Sequence, residues 1–129
     1  MVVPMLVRID TSSAVPLAEQ IAASVRGSLG RRDLAAGDRL PAARELAAAL
    51  DVNVHTVLRA YAVLRDDGLI DLRRGRGAVV SAHVDADRTR LTDLARRFVV
   101  DARRLGLDDN EMTTVFENAI RDGLTGATS

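Results

Sequence analysis

The fold is indicated most clearly by residues 37–77, GDRLPAARELAAALDVNVHTVLRAYAVLRDDGLIDLRRGRG. Its apolar residues recur three or four positions apart, which is typical of helices that bury one face. For the second of its helices, the predicted buried residues are Val57, Ala60, Tyr61 and Leu64. Asp51-Val52-Asn53 interrupts this spacing once, and Asn53 is available to cap a following helix. Gly68 is the expected end of that helix. The stretch therefore predicts a short helix starting near Pro41, a tight turn and a second helix.

A β-hairpin is expected directly after these two helices. The runs from Leu69 to Leu72 and from Ala78 to Ser81 are β-prone. Between them lies Arg73-Arg74-Gly75-Arg76-Gly77, in which the glycines permit the positive φ angles of a tight connection. We therefore predict a hairpin with a strongly basic tip.

Helical periodicity also flanks the central stretch on both sides. Before it, apolar residues recur every fourth position behind Pro16, namely Leu17, Ile21, Val25 and Leu29. After it, an apolar stripe runs from Leu91 to Leu105, and Asp108 with Glu111 resembles a capping box that opens a last helix. The alternating run at residues 6–10 is typical of a short strand.

The predicted order of elements is strand, three helices, hairpin and two helices. A short helix, a tight turn, a second helix and a hairpin form the winged helix-turn-helix arrangement, whose second helix enters the major groove of DNA. The predicted fold class is therefore mainly α with a small β-hairpin wing, followed by a C-terminal helical hairpin. We expect a DNA-binding domain over residues 1–82 and a two-helix region over residues 83–129.

The composition excludes several classes of protein. The 129 residues include no Cys, which excludes disulfide scaffolds, thiol nucleophiles and thiolate metal sites. Three aromatic residues are too few for a platform that stacks single-stranded bases. No segment approaches the roughly 18 apolar residues of a membrane span and no signal peptide opens the chain, so a cytoplasmic protein is expected.

The charge is balanced overall but unevenly placed. All 18 basic residues are Arg, and 18 acids oppose them. Residues 1–82 hold 11 Arg and 9 acids, whereas residues 83–129 hold 7 Arg and 9 acids. This mild asymmetry does not establish nucleic-acid binding by itself, so the positions of the arginines matter more than their number.

Two groups of residues are candidates for contact with double-stranded DNA. The first is the start of the third helix, where short polar side chains can reach base edges or phosphates. The second is the basic hairpin tip, because arginine is attracted by the negative potential of a narrow minor groove. Each group also has a structural alternative: Asn53 caps the helix beside solvated neighbours, and the tip is a charged surface turn.

Several motifs in the same order resemble the GntR superfamily of bacterial transcription regulators. They are Pro16-Leu17-Ala18-Glu19-Gln20-Ile21, residues 37–47 (GDRLPAARELA), residues 52–61 (VNVHTVLRAY), Asp67-Gly68-Leu69-Ile70 and Gly75-Arg76-Gly77. The resemblance covers about residues 10–82. The two-helix tail is similar to the YtrA-type subfamily, whose members have a small helical dimerisation region.

The resemblance implies a set of DNA-contacting residues, namely Arg44, Asn53, His55, Thr56, Arg74, Gly75 and Arg76. Three positions depart from the family pattern. Ala42 lacks the usual hydroxyl, and Val54 and Leu58 stand where polar or basic residues are frequent. Val54 can still pack against a thymine methyl group. Two interpretations remain for Arg39 and Arg59: each contacts phosphate or makes an ion pair. The ion-pair partner of Arg39 would be Asp38 or Glu45.

The broad apolar stripes of the tail helices predict a homodimer, and the structural alternative is that the tail packs back onto its own domain. The function expected is a sequence-specific repressor that reads a pseudo-palindromic operator. The alternative is a sensor whose small-molecule effector binds between the tail and the DNA-binding domain. An enzyme is not expected: related chains that carry a pyridoxal phosphate domain need a lysine, and this chain has none. We expect no cofactor and no metal site, and His55 and His83 are too few for one.

Overall fold

The computed structural model describes residues 7–127, with side chains to Gly123, and confirms the predicted fold class. The elements in chain order are α1 (Leu17–Gly30), α2 (Ala43–Leu50), α3 (Val54–Asp66), β1 (Ile70–Arg73), β2 (Gly77–Val80), α4 (Ala86–Arg104) and α5 (Asp109–Ala127). The chain divides into two compact units between Asp93 and Leu94, inside α4. Within the described residues, no helix is long and apolar enough to cross a membrane.

The core of the first unit lies between α1 and α3, and α2 packs on α3. The predicted stripe of α1 is confirmed by Ile21, Val25 and Leu29, which are almost completely buried. The predicted stripe of α3 is confirmed as well, and its buried members are Val57, Ala60, Tyr61 and Leu64. Because these residues occupy one side of α3, the opposite side is left facing outward.

The turn between α2 and α3 holds the two helices in their helix-turn-helix relation. Asp51 adopts a left-handed conformation with φ of 56°, and the Val52 N–H donates to the Ala47 carbonyl at 3.0 Å. Helix α2 begins at Ala43 rather than near Pro41. The Pro41 carbonyl instead accepts a hydrogen bond from the Tyr61 hydroxyl at 2.6 Å. Burial, with a smaller contribution from Glu45, raises the pKa of Tyr61, so this hydroxyl remains a donor.

The hairpin carries a third extended segment on its second edge. Strands β1 and β2 pair antiparallel from Ile70↔Val80 to Arg73↔Gly77. On the other side of β2, Arg39 bridges Val79, and the Leu40 N–H donates to the Ala78 carbonyl at 2.9 Å. No strand is predicted here from the sequence, because pairing with a segment 40 positions away leaves no local pattern.

The strand predicted at residues 6–10 is wrong for residues 7–10, and Leu6 lies outside the described part of the chain. Val7 and Ile9 pack against the core, which explains the alternating pattern. The backbone, however, bonds to side chains rather than to another strand. The Asp10 N–H donates to Gln20 Oε1 at 2.6 Å, and the Gln20 amide group donates back to the Asp10 carbonyl at 3.0 Å.

The second unit consists of the end of α4 and helix α5. The Phe98 and Phe116 rings lie 4.4 Å apart between centroids, and Ala102 and Met112 are buried. The predicted capping box is confirmed. The Glu111 N–H donates to Asp108 Oδ1 at 2.8 Å, and the Asp108 N–H donates to Glu111 Oε1 at 3.0 Å.

Candidate nucleic-acid interface

The outward face of α3 carries a mixed set of side chains in its first two turns. His55, Leu58 and Arg59 are exposed, whereas Val54 and Thr56 are half-buried. Four core residues hold the other side of the helix and Val54 packs partly against the core, whereas His55, Leu58 and Arg59 lie outside it. The outward face presents an imidazole, a guanidinium and an isobutyl group side by side, which suits contact with both phosphates and base edges.

Asn53 is the N-cap of α3, as the structural alternative predicted. Its Oδ1 accepts a hydrogen bond from the His55 N–H at 2.8 Å, and the Thr56 N–H donates to the Asn53 carbonyl at 3.0 Å. These two helix N–H groups are therefore already bonded within the protein. The Asn53 amide nitrogen keeps its two donors, which can reach a phosphate without breaking the cap.

The hairpin tip has the geometry that its glycines predicted. Gly75 adopts φ of 81°, which favours glycine because it has no Cβ, and the Arg76 N–H closes the turn on the Arg73 carbonyl at 3.1 Å. Arg74 and Arg76 are exposed. Arg73 differs from them, because its guanidinium lies 3.6 Å from the Asp71 carboxylate, and its charge is partly neutralised.

Eight exposed arginines of the first unit have no carboxylate within ion-pair distance among residues 7–123. Arg8, Arg88 and Arg90 lie outside the helix-turn-helix and the hairpin, and the other five are Arg39, Arg44, Arg59, Arg74 and Arg76. The ion-pair alternatives considered for Arg39 and Arg59 are thus absent from this part of the chain. The Asp38 carboxylate instead accepts the Ala35 N–H at 2.8 Å. Arg44 lies in the first turn of α2, where the helix dipole disfavours a cation, so helix stability does not explain its position.

Arg26 is a residue that sequence reasoning missed. Its side chain is 1% exposed, and its guanidinium lies 3.2 Å from the Asp67 carboxylate at the end of α3. Within the described residues, Arg26 Nε has no hydrogen-bond partner. The ion pair joins α1 to α3 and so helps to orient the candidate interface. The only signal in the sequence was an arginine directly after the buried Val25.

The two histidines lie in different parts of the first unit. His83 is exposed after β2, whereas His55 is on α3. Within residues 7–127, no group of three His, Asp or Glu side chains is arranged to hold a metal ion.

Comparisons with known proteins agree with the geometry. The family described as "Bacterial regulatory proteins, gntR family" matches residues 17–80. The HTH-type transcriptional repressor YtrA of Bacillus subtilis (strain 168) is 31% identical over 108 residues, which cover 80% of this chain and 83% of that protein. YtrA from Sulfolobus acidocaldarius, a GntR-family transcription factor, has a solved structure that is 36% identical, with a TM-score of 0.57, covering 72% of this chain and 96% of that one.

A solved complex shares the fold at lower identity. The DNA-binding domain of AraR in complex with operator ORX1 is 20% identical, with a TM-score of 0.53, and covers 60% of this chain and 96% of that one. The relatives named here are transcription regulators, in agreement with the prediction that the chain is not an enzyme. The resemblance to YtrA-type regulators is confirmed. The chain belongs to the GntR family of bacterial regulatory proteins and is a DNA-binding transcription regulator.

Proposed function

We propose that this chain acts in the cytoplasm as a homodimeric repressor that binds a pseudo-palindromic operator. The observation that carries the proposal is the placement of unpaired arginines on α2, on α3 and at the hairpin tip of one compact unit. We assign DNA binding to residues 1–82 and dimerisation to residues 83–129.

The helix-turn-helix supplies contacts to the major groove. His55 and Thr56 reach base edges from the first turn of α3, because their side chains are short and their positions are set by the Asn53 cap. Asn53 itself donates its amide hydrogens to a phosphate. Arg44 holds a second phosphate from α2, where a planar guanidinium can make two hydrogen bonds.

The wing supplies contacts to the minor groove. Arg74 and Arg76 project from a connection of three residues, and Gly75 between them lets the backbone approach the sugar-phosphate edge. A narrow minor groove concentrates negative electrostatic potential, which attracts the guanidinium groups of arginines. Recognition by the wing therefore depends on groove shape, whereas recognition by α3 depends on base identity.

The helices of the second unit supply the dimer interface. Their large apolar side chains remain exposed in the single chain, among them Leu94, Leu105, Val115 and Ile120. Two copies related by a twofold axis would cover these residues. The resulting pair of α3 helices would read half-sites about 10 base pairs apart or a multiple of that distance.

Repression is proposed because the relative from Bacillus subtilis is named a transcriptional repressor. In a reconstituted transcription reaction, we expect the protein to reduce initiation from the promoter upstream of its own gene. An increase in initiation from that promoter would reverse the assigned direction of regulation without affecting the assignment of DNA binding.

Fluorescence anisotropy tests the specificity. The full chain is titrated with a labelled duplex from the region upstream of its own gene and with a random duplex of equal length, at several salt concentrations. We expect tighter binding to the upstream duplex, with affinity for both falling as salt rises. Equal affinity for the two duplexes at every salt concentration would contradict sequence-specific binding.

Substitutions separate the two contact regions. Replacing Arg74 and Arg76 together by Ala is expected to weaken binding to all duplexes and to flatten the salt dependence, by about one unit of slope for each phosphate that is no longer neutralised. His55→Ala is expected instead to redistribute preference among operator variants. Arg73→Ala is the matched control, because its guanidinium is already paired with Asp71. Identical behaviour of the wing and His55 variants would contradict the assignment.

A further inference from the structure

Leu58 is an exposed leucine on the outward face of α3. Its side chain is 48% exposed, and it lies one turn after Val54 and next to Arg59. It is not among the residues that form the core of the first unit or pack against it, whereas its neighbours Val57 and Tyr61 are. The fold is therefore closed without the Leu58 side chain.

The surroundings of Leu58 favour a nucleic-acid occupant over a protein. The exposed arginines Arg44, Arg59, Arg74 and Arg76 belong to the same unit, and no described carboxylate pairs with them. A second protein seated over Leu58 would bury the neighbouring Arg59 and would need a matching carboxylate. A DNA duplex supplies the opposite charge on its phosphates and an apolar group in its major groove.

The chemistry of leucine restricts what it can recognise on a base. An isobutyl group neither donates nor accepts a hydrogen bond, so it contributes nothing to contacts with the polar edges of guanine, adenine or cytosine. The C5-methyl group of thymine is the apolar group that the major groove presents in unmodified DNA. A 5-methylcytosine would present the same methyl group at the same ring position.

We propose that Leu58 is a specificity-determining residue that packs against a C5-methyl group in each operator half-site, with thymine as the base that carries it. The assignment rests on the proposed function, because it requires that α3 enter the major groove. Val54, half-buried one turn earlier on the same side of α3, borders the contact from the N-terminal side. His55 and Arg59 supply the polar contacts beside it.

The test uses DNA that differs by a single methyl group. Duplexes are first enriched from a random library with the full wild-type chain. Each thymine of the enriched half-site is then replaced by deoxyuridine, which removes only the C5-methyl group. Binding of wild type, Leu58→Ala and Leu72→Ala is measured by anisotropy. Leu72 is the matched control, because it is a similarly exposed leucine located on β1.

We expect one uracil position in each half-site to weaken wild-type binding about fourfold, equivalent to ~0.8 kcal/mol for one buried methyl group. Leu58→Ala should bind both forms equally, and Leu72→Ala should keep the wild-type difference. Replacing the sensitive thymine by cytosine should weaken binding, and replacing it by 5-methylcytosine should weaken binding less. Leu58→Gln is expected to shift enrichment towards adenine, which glutamine contacts with two hydrogen bonds.

Three outcomes would overturn the proposal. Specific binding without any uracil-sensitive position would show that no methyl group is contacted. A uracil penalty that persists in Leu58→Ala would assign the contact to another residue. A changed oligomeric state of Leu58→Ala with an unchanged uracil penalty would place Leu58 in a protein interface. If wild type enriches no sequence at all, the proposed function fails first, and the role of Leu58 fails with it.

Discussion

The two compact units differ in how completely they bury their large apolar side chains. In the first unit, the core-facing stripes of α1 and α3 are almost completely buried, and Val57 and Leu64 have no exposed surface. In the second unit, Ala102 and Met112 are buried, but Leu105 is 80% and Ile120 is 61% exposed. Three helices and a hairpin surround a core, whereas a pair of helices buries only the seam between them. The first unit therefore encloses a core of its own, whereas the second keeps more of its large apolar side chains exposed.

The largest expected effect is the loss of packing in the first unit. Leu64→Ala removes a fully buried side chain, and we expect it to lower the free energy of unfolding by about 3 kcal/mol, from reduced burial and the cavity left behind. Urea denaturation measures the change. The same substitution at the exposed Leu72 should cost less than about 1 kcal/mol. Similar losses at the two positions would contradict a closed core in this unit.

The next largest expected effect concerns the exposed apolar side chains of the second unit. Ile120→Asp places a charge in the proposed dimer interface, and we expect the dimer dissociation constant to rise about a hundredfold, equivalent to ~2.7 kcal/mol. Sedimentation equilibrium measures it. Asn118→Asp adds the same charge to α5 outside the apolar stripe and should leave association nearly unchanged. If the wild-type chain stays monomeric at all concentrations, the apolar stripe of α5 does not form a dimer interface.

An intermediate effect comes from two Arg–Asp pairs of different burial. Asp67→Ala leaves the buried Arg26 without its carboxylate, and we expect a loss of roughly 2 kcal/mol, reduced from the fully buried case because Asp67 itself is 37% exposed. Asp109→Ala breaks the Arg103–Asp109 pair, in which both side chains are exposed, and should cost under about 1 kcal/mol. Thermal unfolding of both variants tests the order. The reverse order would mean that burial does not govern these pairs.

The smallest expected effect is the loss of a helix N-cap, which should lower stability by a similar amount in the two units. Asn53 and Asp108 each accept a hydrogen bond from a backbone N–H at the start of a helix, both at 2.8 Å. Replacing either residue by Ala should lower stability by about 1 kcal/mol, since a cap acts locally and does not depend on the core. Circular dichroism during urea unfolding measures both. A loss of more than twice this size at only one helix would point to a role beyond capping.

Sequence reasoning succeeded where the determining contacts are local. The spacing of Val57, Ala60, Tyr61 and Leu64 predicted the buried face of α3 because residues three and four apart share one side of a helix. The basic hairpin tip was predicted for the same reason, since Gly75 determines its turn within four residues. The start of α2 was misplaced by about two residues, because Pro41 is suited both to a first turn and to the extended segment in which it lies.

The failures share one physical cause. The alternation at residues 7–10 indicated that one side of this segment is apolar, but not what it packs against. Packing against the core was therefore taken for a strand. Whether Arg39 and Arg59 form ion pairs also depended on neighbours that the sequence does not place. For Arg39, the Asp38 carboxylate is engaged by a backbone N–H three residues earlier.

Periodicity, caps and turn glycines act over a few residues, so the sequence alone predicts the elements, the polar and basic character of the candidate interface, and the family. How distant segments meet depends on the tertiary structure. It paired Arg39 with Val79, and it buried Arg26 against Asp67, which is 41 residues away. It also left Leu58 exposed outside the core. These outcomes depend on chain closure and on competition for core space, which no local pattern records.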